Sequence, residues 1–133
     1  MSDNEEYWID RHKKYVGDIR SVGNAGKDIQ TNLAGYEEKI NRLRRALLTH
    51  FPTINGLSIL EVGCGVGIMA VQLIDAGAQY VGLDISPQAL DQAKKRAPEG
   101  VFVCSSAYDY QLENQFDVVF CTDVLVHLVS DHN

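Results

Sequence analysis

A short apolar run, residues 58–62, stops at three glycines set at alternate positions, Gly63, Gly65 and Gly67, and a helical pattern resumes at Ile68. This strand–loop–helix join constrains the chain more than any other feature. Glycines at such a join let the backbone turn tightly and let a ligand reach the main chain itself. The alternation then continues. Residues 68–76 read as a helix stopped by Gly77, and residues 80–84 as a second strand ending on Asp84. Ser86 and Pro87 open another helix, serine suiting the N-cap and proline the first helical position. That helix runs to Ala97, ahead of Pro98 and Gly100. Residues 101–104 and 116–121 read as third and fourth strands, and residues 123–129 begin a further helix.

Strands that are apolar throughout and alternate with helices imply a parallel sheet covered on both faces. Right-handed crossovers then give an α/β, doubly wound fold with strand order 3-2-1-4. In such sheets ligands bind at the carboxyl ends of the strands where the winding reverses, here between the first and fourth.

The first 56 residues are different in kind. Residues 5–15 read as a helix carrying Tyr7, Trp8 and Tyr15, and residues 16–33 as a loop-rich segment with Gly17, Gly23 and Gly26. Residues 35–50 form a stronger helix, because Tyr36, Ile40, Leu43 and Leu47 recur at helical spacing. Pro52 and Gly56 end it. The chain therefore divides into a helical segment, 1–56, and an α/β core, 57–133.

Charge and composition narrow the chemistry. The net charge is −6, and the densest basic stretch, Arg42-Leu43-Arg44-Arg45, is spread around a helix. Nucleic acid is not an expected partner. No apolar run approaches the ~18 residues of a membrane span, and the acidic start of the chain is not a signal peptide. Cys64, Cys104 and Cys121 are odd in number and form no CxxC pair, as expected of reduced thiols in a cytoplasmic protein. No clustered ligand set suggests a metal.

The loop excludes one phosphate clamp and disfavours another. A P-loop needs Lys-Ser/Thr after its last glycine, where Ile68-Met69 stands. The dinucleotide pattern GxGxxG needs its last glycine one position beyond Gly67, where Ile68 stands. Glu61 is expected to aim a carboxylate at the site, unattractive beside a pyrophosphate but suited to ammonium and sulfonium groups. Asp84 lies 19 residues beyond Gly65, where a carboxylate can accept both hydroxyl hydrogens of a ribose.

Residues 59–67, 81–86 and 116–121, in this order and spacing, resemble the class I S-adenosylmethionine (SAM)-dependent methyltransferases, of Rossmann-like fold. The resemblance covers residues 57–129. It implies that Gly63, Cys64, Gly65 and Gly67 pack on the methionine part of SAM, with Glu61 beside them, and that Asp84, followed by Ile85, holds the ribose. The family often has Gly-Asp-Ala after the third strand, on the adenine; this chain has Ser105-Ser106-Ala107. The amide of Ala107 can still meet the ring, with Ser106 or Asp109 replacing the missing aspartate.

Residues 121–128 resemble the run after the fourth strand in small-molecule methyltransferases. Cys121 and Thr122 would touch the methionine end, and His127 would sit near the substrate, either as a general base or as a structural histidine. The 1–56 segment resembles the helical lids that precede this fold. Arg44 matches, in its distance from the glycine loop, an arginine that pairs with the SAM carboxylate in ubiquinone-pathway O-methyltransferases; the other reading is a solvated helix face.

The resemblance implies methyl transfer from SAM to a small molecule, at oxygen, with S-adenosylhomocysteine as product. A non-catalytic SAM-binding module and, less favoured, an NAD-dependent oxidoreductase are the alternatives. The family's sheet carries further strands beyond the fourth, so the chain is expected to be part of a longer protein, with homodimerisation through the exposed sheet edge as another way to cover that edge.

Overall fold

The computed structural model describes residues 3–14, 16, 26–111 and 113–122. Tyr15, His127 and the helix expected over 123–129 lie outside the described residues.

Two helices come first, α1 (Asp3–Lys14) and α2 (Ile29–His50). The second starts earlier than the sequence pattern predicts. Asp28 caps it by accepting the Thr31 amide at 2.7 Å, and the buried Asn32 side chain donates back to the carbonyls of Lys27 and Asp28. This local capping carries residues 29–33 into the helix, correcting the loop reading there. Gly35, expected at the helix start, is an interior position facing open space. At the other end the Phe51 amide closes on Leu47 at 2.8 Å, and Leu47 and Ile54 are buried with Ile59 and Leu73 in the main core.

The α/β part follows as β1 (Ser58–Val62), α3 (Ile68–Asp75), β2 (Gln79–Asp84), α4 (Pro87–Arg96), β3 (Val101–Cys104) and β4 (Val118–Cys121). All pairings are parallel and the order is β3-β2-β1-β4, as expected. The centre of the sheet is dry: Ile59, Leu60 and Leu83 are at most 2% exposed. Gly77 (φ 91°) ends α3 with the paired bonds of a Schellman motif, its amide to the Ile74 carbonyl and that of Ala78 to Leu73. Ser86 and Pro87 open α4 as the N-cap and first helical residue, the serine oxygen accepting the Ala89 amide at 3.2 Å.

The fourth strand is shorter than expected. Asp117 accepts the Ser58 amide through its side chain at 2.9 Å, so it ties the start of β1 to the sheet edge rather than joining the ladder. Helices α3 and α4 pack on the sheet and on each other, α2 packs on α3, and α1 packs on α4. Among the described residues no helix is long and apolar enough to cross a membrane.

Candidate functional site

The switch point between β1 and β4 places the glycine loop and the residues after β4 at one end of the sheet. Gly63, Gly65 and Gly67 have φ of 78°, 55° and 80°, the left-handed region in which a side chain is strained. The loop is pinned to β2: the Gly63 and Cys64 amides donate to the Leu83 carbonyl at 2.7 and 3.0 Å.

The same strand end carries Asp84. One carboxylate oxygen accepts the Gly65 amide at 2.9 Å and the other the Ser86 amide at 3.0 Å. Its own carbonyl accepts the Ser105 amide at 3.0 Å, joining the start of the β3–β4 connection to the same corner. An ionised carboxylate has about four acceptor positions. Two are used by amides that fix its orientation, and about two remain for hydroxyl donors.

The three glycines have different tasks. A Cβ on Gly67 would lie 3.0 Å from the Ala93 Cβ and 3.1 Å from its Cα, so this residue lets α3 start directly against α4. Gly65 instead supplies an amide to Asp84. Cys64 points into the core, 6% exposed, where a Cβ on Gly82 would lie only 2.8 Å from its sulfur. Burial pushes the thiol far up, with the nearby charges of Asp84 and Glu61 adding to the effect, so the side chain is an inert packing group. Arg96 reaches from the end of α4 to the Val66 carbonyl at 3.2 Å, holding the loop from the other side.

Glu61 departs from the sequence expectation. It is 3% exposed, and the Tyr80 hydroxyl donates to its carboxyl group. Burial pushes Glu61 up to about 8; the Tyr80 hydrogen bond opposes the rise and the Asp84 charge adds to it. At neutral pH the carboxyl is mostly neutral, so the buried Glu61–Tyr80 pair braces the sheet beneath the loop and presents no anion to a cationic ligand. Sequence alone hides this pairing, because its partner sits on the neighbouring strand.

At the other sequence-predicted positions, Ile85 is half-buried and its carbonyl faces the Cys104 thiol at 3.7 Å. Ser106 donates to Asp109 at 2.7 Å and accepts the Asp109 amide at 3.1 Å, a closed turn beside the exposed Ala107. Cys121 pairs in register with Val62, and the Thr122 hydroxyl lies 3.9 Å from the Met69 sulfur, which brings the end of β4 over the start of α3. Arg44 is half-buried in a groove along α2 with Glu37, Glu38, Asn41 and Arg45, a groove that no glycine-loop residue lines.

One residue was missed from sequence. Glu5, Trp8, Ile9 and His12 form the less exposed face of α1, and His12 is only 2% exposed. Burial lowers its pKa, the Asp84 charge opposing and the Arg11 charge adding to the fall, and neither ring nitrogen has a hydrogen-bond partner among the described residues. The available signal was the spacing, since His12 follows Trp8 by four residues.

The sequence matches the family described as methyltransferase domain over residues 59–133. A magnesium-protoporphyrin O-methyltransferase from Synechocystis is 32% identical over 129 residues, 92% of this chain and 54% of that protein. A ubiquinone biosynthesis O-methyltransferase from Albidiferax ferrireducens is 34% identical over 97 residues, 68% of this chain and 38% of that one. The chain thus spans about half or less of these relatives. The crystal structure of magnesium protoporphyrin IX methyltransferase from Synechocystis with bound SAM superposes with a TM-score of 0.72 at 25% identity, covering 97% of this chain and 66% of that one.

Proposed function

Because the chain belongs to the methyltransferase domain family, we propose that it binds SAM in the cleft above residues 63–67 and Asp84, and that it serves methyl transfer to an oxygen of a small molecule. The observation that carries this reading is Asp84, held by two amides with about half its acceptor capacity left at the mouth of the glycine loop. The two relatives named above, both O-methyltransferases by name, support oxygen as the acceptor.

The residues fit the cofactor. Asp84 is an acceptor-only group suited to the ribose diol, and Ile85 lies beside it. Ser106 and Ala107, on the turn that follows β3, are the candidates for the adenine. Gly63, Gly65, Cys121 and Thr122, at the ends of β1 and β4, are those for the methionine end, with Gly67 and the Cys64 backbone shaping the loop beneath. Glu61 acts from below through Tyr80. Arg44 is assigned to the methionine carboxylate only on its distance from the loop in sequence.

When bound, SAM supplies an already activated sulfonium methyl group. The protein's contribution is then alignment, desolvation and, where the acceptor must lose a proton, a base. The preset corner at Asp84 serves alignment, and α1, packed on α4, serves to exclude water. His127 is the proposed base, resting on the resemblance of residues 121–128.

Calorimetric titration with S-adenosylhomocysteine, beside NAD, tests the cofactor assignment. Binding of the first and not the second is expected, and the reverse would overturn it. A methyl-transfer assay, run on this chain and on a longer natural version, separates a working enzyme from a SAM-binding module.

A further inference from the structure

Helix α2 turns one face inward and leaves the other bare. Leu43 and Leu47 pack with the main core, whereas Ala34, Glu37, Asn41, Arg45 and Leu48 are all exposed. At about 100° per residue these five fall within about 40° of the direction of Asn41, a stripe of about four turns and 21 Å. It is apolar at its ends: Leu48 is 54% exposed, and Leu33, beside Ala34, is 46% exposed. Among the described residues Glu37, Asn41 and Arg45 make no side-chain hydrogen bond or ion pair.

The stripe is symmetric about Asn41. Glu37 stands four residues before it and Arg45 four after; Ala34 stands seven before it and Leu48 seven after. Glu38 and Arg44 repeat the order of acid, then base, at three residues to either side. When two identical helices pair antiparallel about a two-fold axis at Asn41, each residue meets the one equally far on the other side. Acid then faces base, the small Ala34 receives Leu48, and Asn41 meets itself. A side-chain amide both donates and accepts, so two asparagines satisfy each other across the axis. A parallel pair would instead set acid against acid and base against base.

We propose that this face of α2 binds a second copy of the chain as an antiparallel, two-fold helix pair. The inference stands apart from the SAM reading and uses a different surface from the β4 edge. Glu38 is held within the helix by Arg42 at 2.5 Å, and Arg44 is assigned above to the methionine carboxylate, so Glu37 and Arg45 carry the pairing. Packed helices lie about 8–10 Å apart, within reach of these two long side chains. An asparagine at the centre of such a pair fixes its register at a cost in stability. Four turns of one helix bury little beside the ~1,200 Å² or more of a stable interface, so the dimer is weak, and salt screens its charge pairs.

Analytical ultracentrifugation of the 133-residue chain over a wide concentration range tests this. Wild type is expected to pass from monomer to dimer as concentration rises, with the dimer fraction falling in high salt. Arg45→Glu and Glu37→Arg each set like charges face to face, and each should weaken dimerisation about tenfold or more. The double exchange, Glu37→Arg with Arg45→Glu, restores opposite charges and should restore the dimer, as a double-mutant cycle requires. Both positions are exposed, so all four proteins should melt alike at concentrations where the monomer prevails. A wild-type chain that stays monomeric throughout overturns the proposal. So does a dimer that both single variants leave intact, as one formed through the β4 edge would be, and so does a loss that the double exchange fails to repair.

Discussion

Two buried ionisable side chains, one in β1 and one in α1, have opposite surroundings. Glu61 in β1 is sealed in the sheet with a phenol hydroxyl for company. His12 in α1 is sealed just as tightly, with no hydrogen-bond partner for its ring nitrogens among the described residues. Both are shifted toward their neutral forms by the same cause, burial. The difference is satisfaction. The floor of the cleft is satisfied among the described residues: Asp84 is held by amides from the loops after β1 and β2, its carbonyl takes the Ser105 amide after β3, and Glu61 pairs with Tyr80 on β2. Helix α1 keeps a buried ring whose nitrogens are unmatched among the described residues, a rare condition in native folds.

The largest expected effect tests the floor. The folded-state pKa of Glu61 lies well above its unfolded value of 4.5, so its contribution to stability is fully present below pH 4.5 and is lost as the pH climbs to about 8. Urea unfolding across that window should show wild type losing on the order of 3–5 kcal/mol through this group, with Glu61→Gln flattening the profile. Parallel profiles for the two proteins would mean that Glu61 is not buried in this way.

Asp84→Ala comes next, and it tests what the completed floor is for. Loss of a charged hydrogen-bond acceptor should weaken S-adenosylhomocysteine binding by about 1.5–3 kcal/mol, tenfold or more. Unchanged affinity in a folded variant would remove the ribose assignment. A smaller change blurs the contrast on purpose. Tyr80→Phe leaves Glu61 as unpartnered as His12, and should destabilise the chain by about 1–3 kcal/mol. It should also move the Glu61 transition to higher pH, because the hydroxyl now opposes the rise. The smallest effect is at the joint between the two regions. Ser86→Ala removes the cap of α4, the helix on which α1 rests, and thermal melting should record a loss of about 1 kcal/mol.

Much of this contrast runs parallel to what could be read from sequence. The sheet order was legible because β1 and β2 are nearly uninterrupted apolar runs, and glycine or proline marks the adjoining turns. The place of Asp84 beside the glycine loop was legible from a single spacing. The tasks of Glu61 and Cys64 were not, since each depends on what another element places beside it: Tyr80 on β2 and Gly82 on the same strand. The start of α2 was hidden for a local reason, a cap at Asp28 that outweighs the glycine at position 35. Position 127 was legible only as a resemblance.

The bond from the Gly65 amide to Asp84 joins residues 19 apart in the chain, whereas the bond from Ser58 to Asp117, beside β4, joins residues 59 apart. Closing the longer loop costs about 1 kcal/mol more in chain entropy, and contacts of short sequence separation form sooner. During folding, the corner that holds the acid therefore has the head start, a β–α–β unit able to set its glycine loop before the far strand arrives. The two ends of the cleft differ in reach as well as in chemistry: the corner proposed for the sugar closes over a short stretch of chain, and the end proposed for the methyl group closes only where the chain returns as β4.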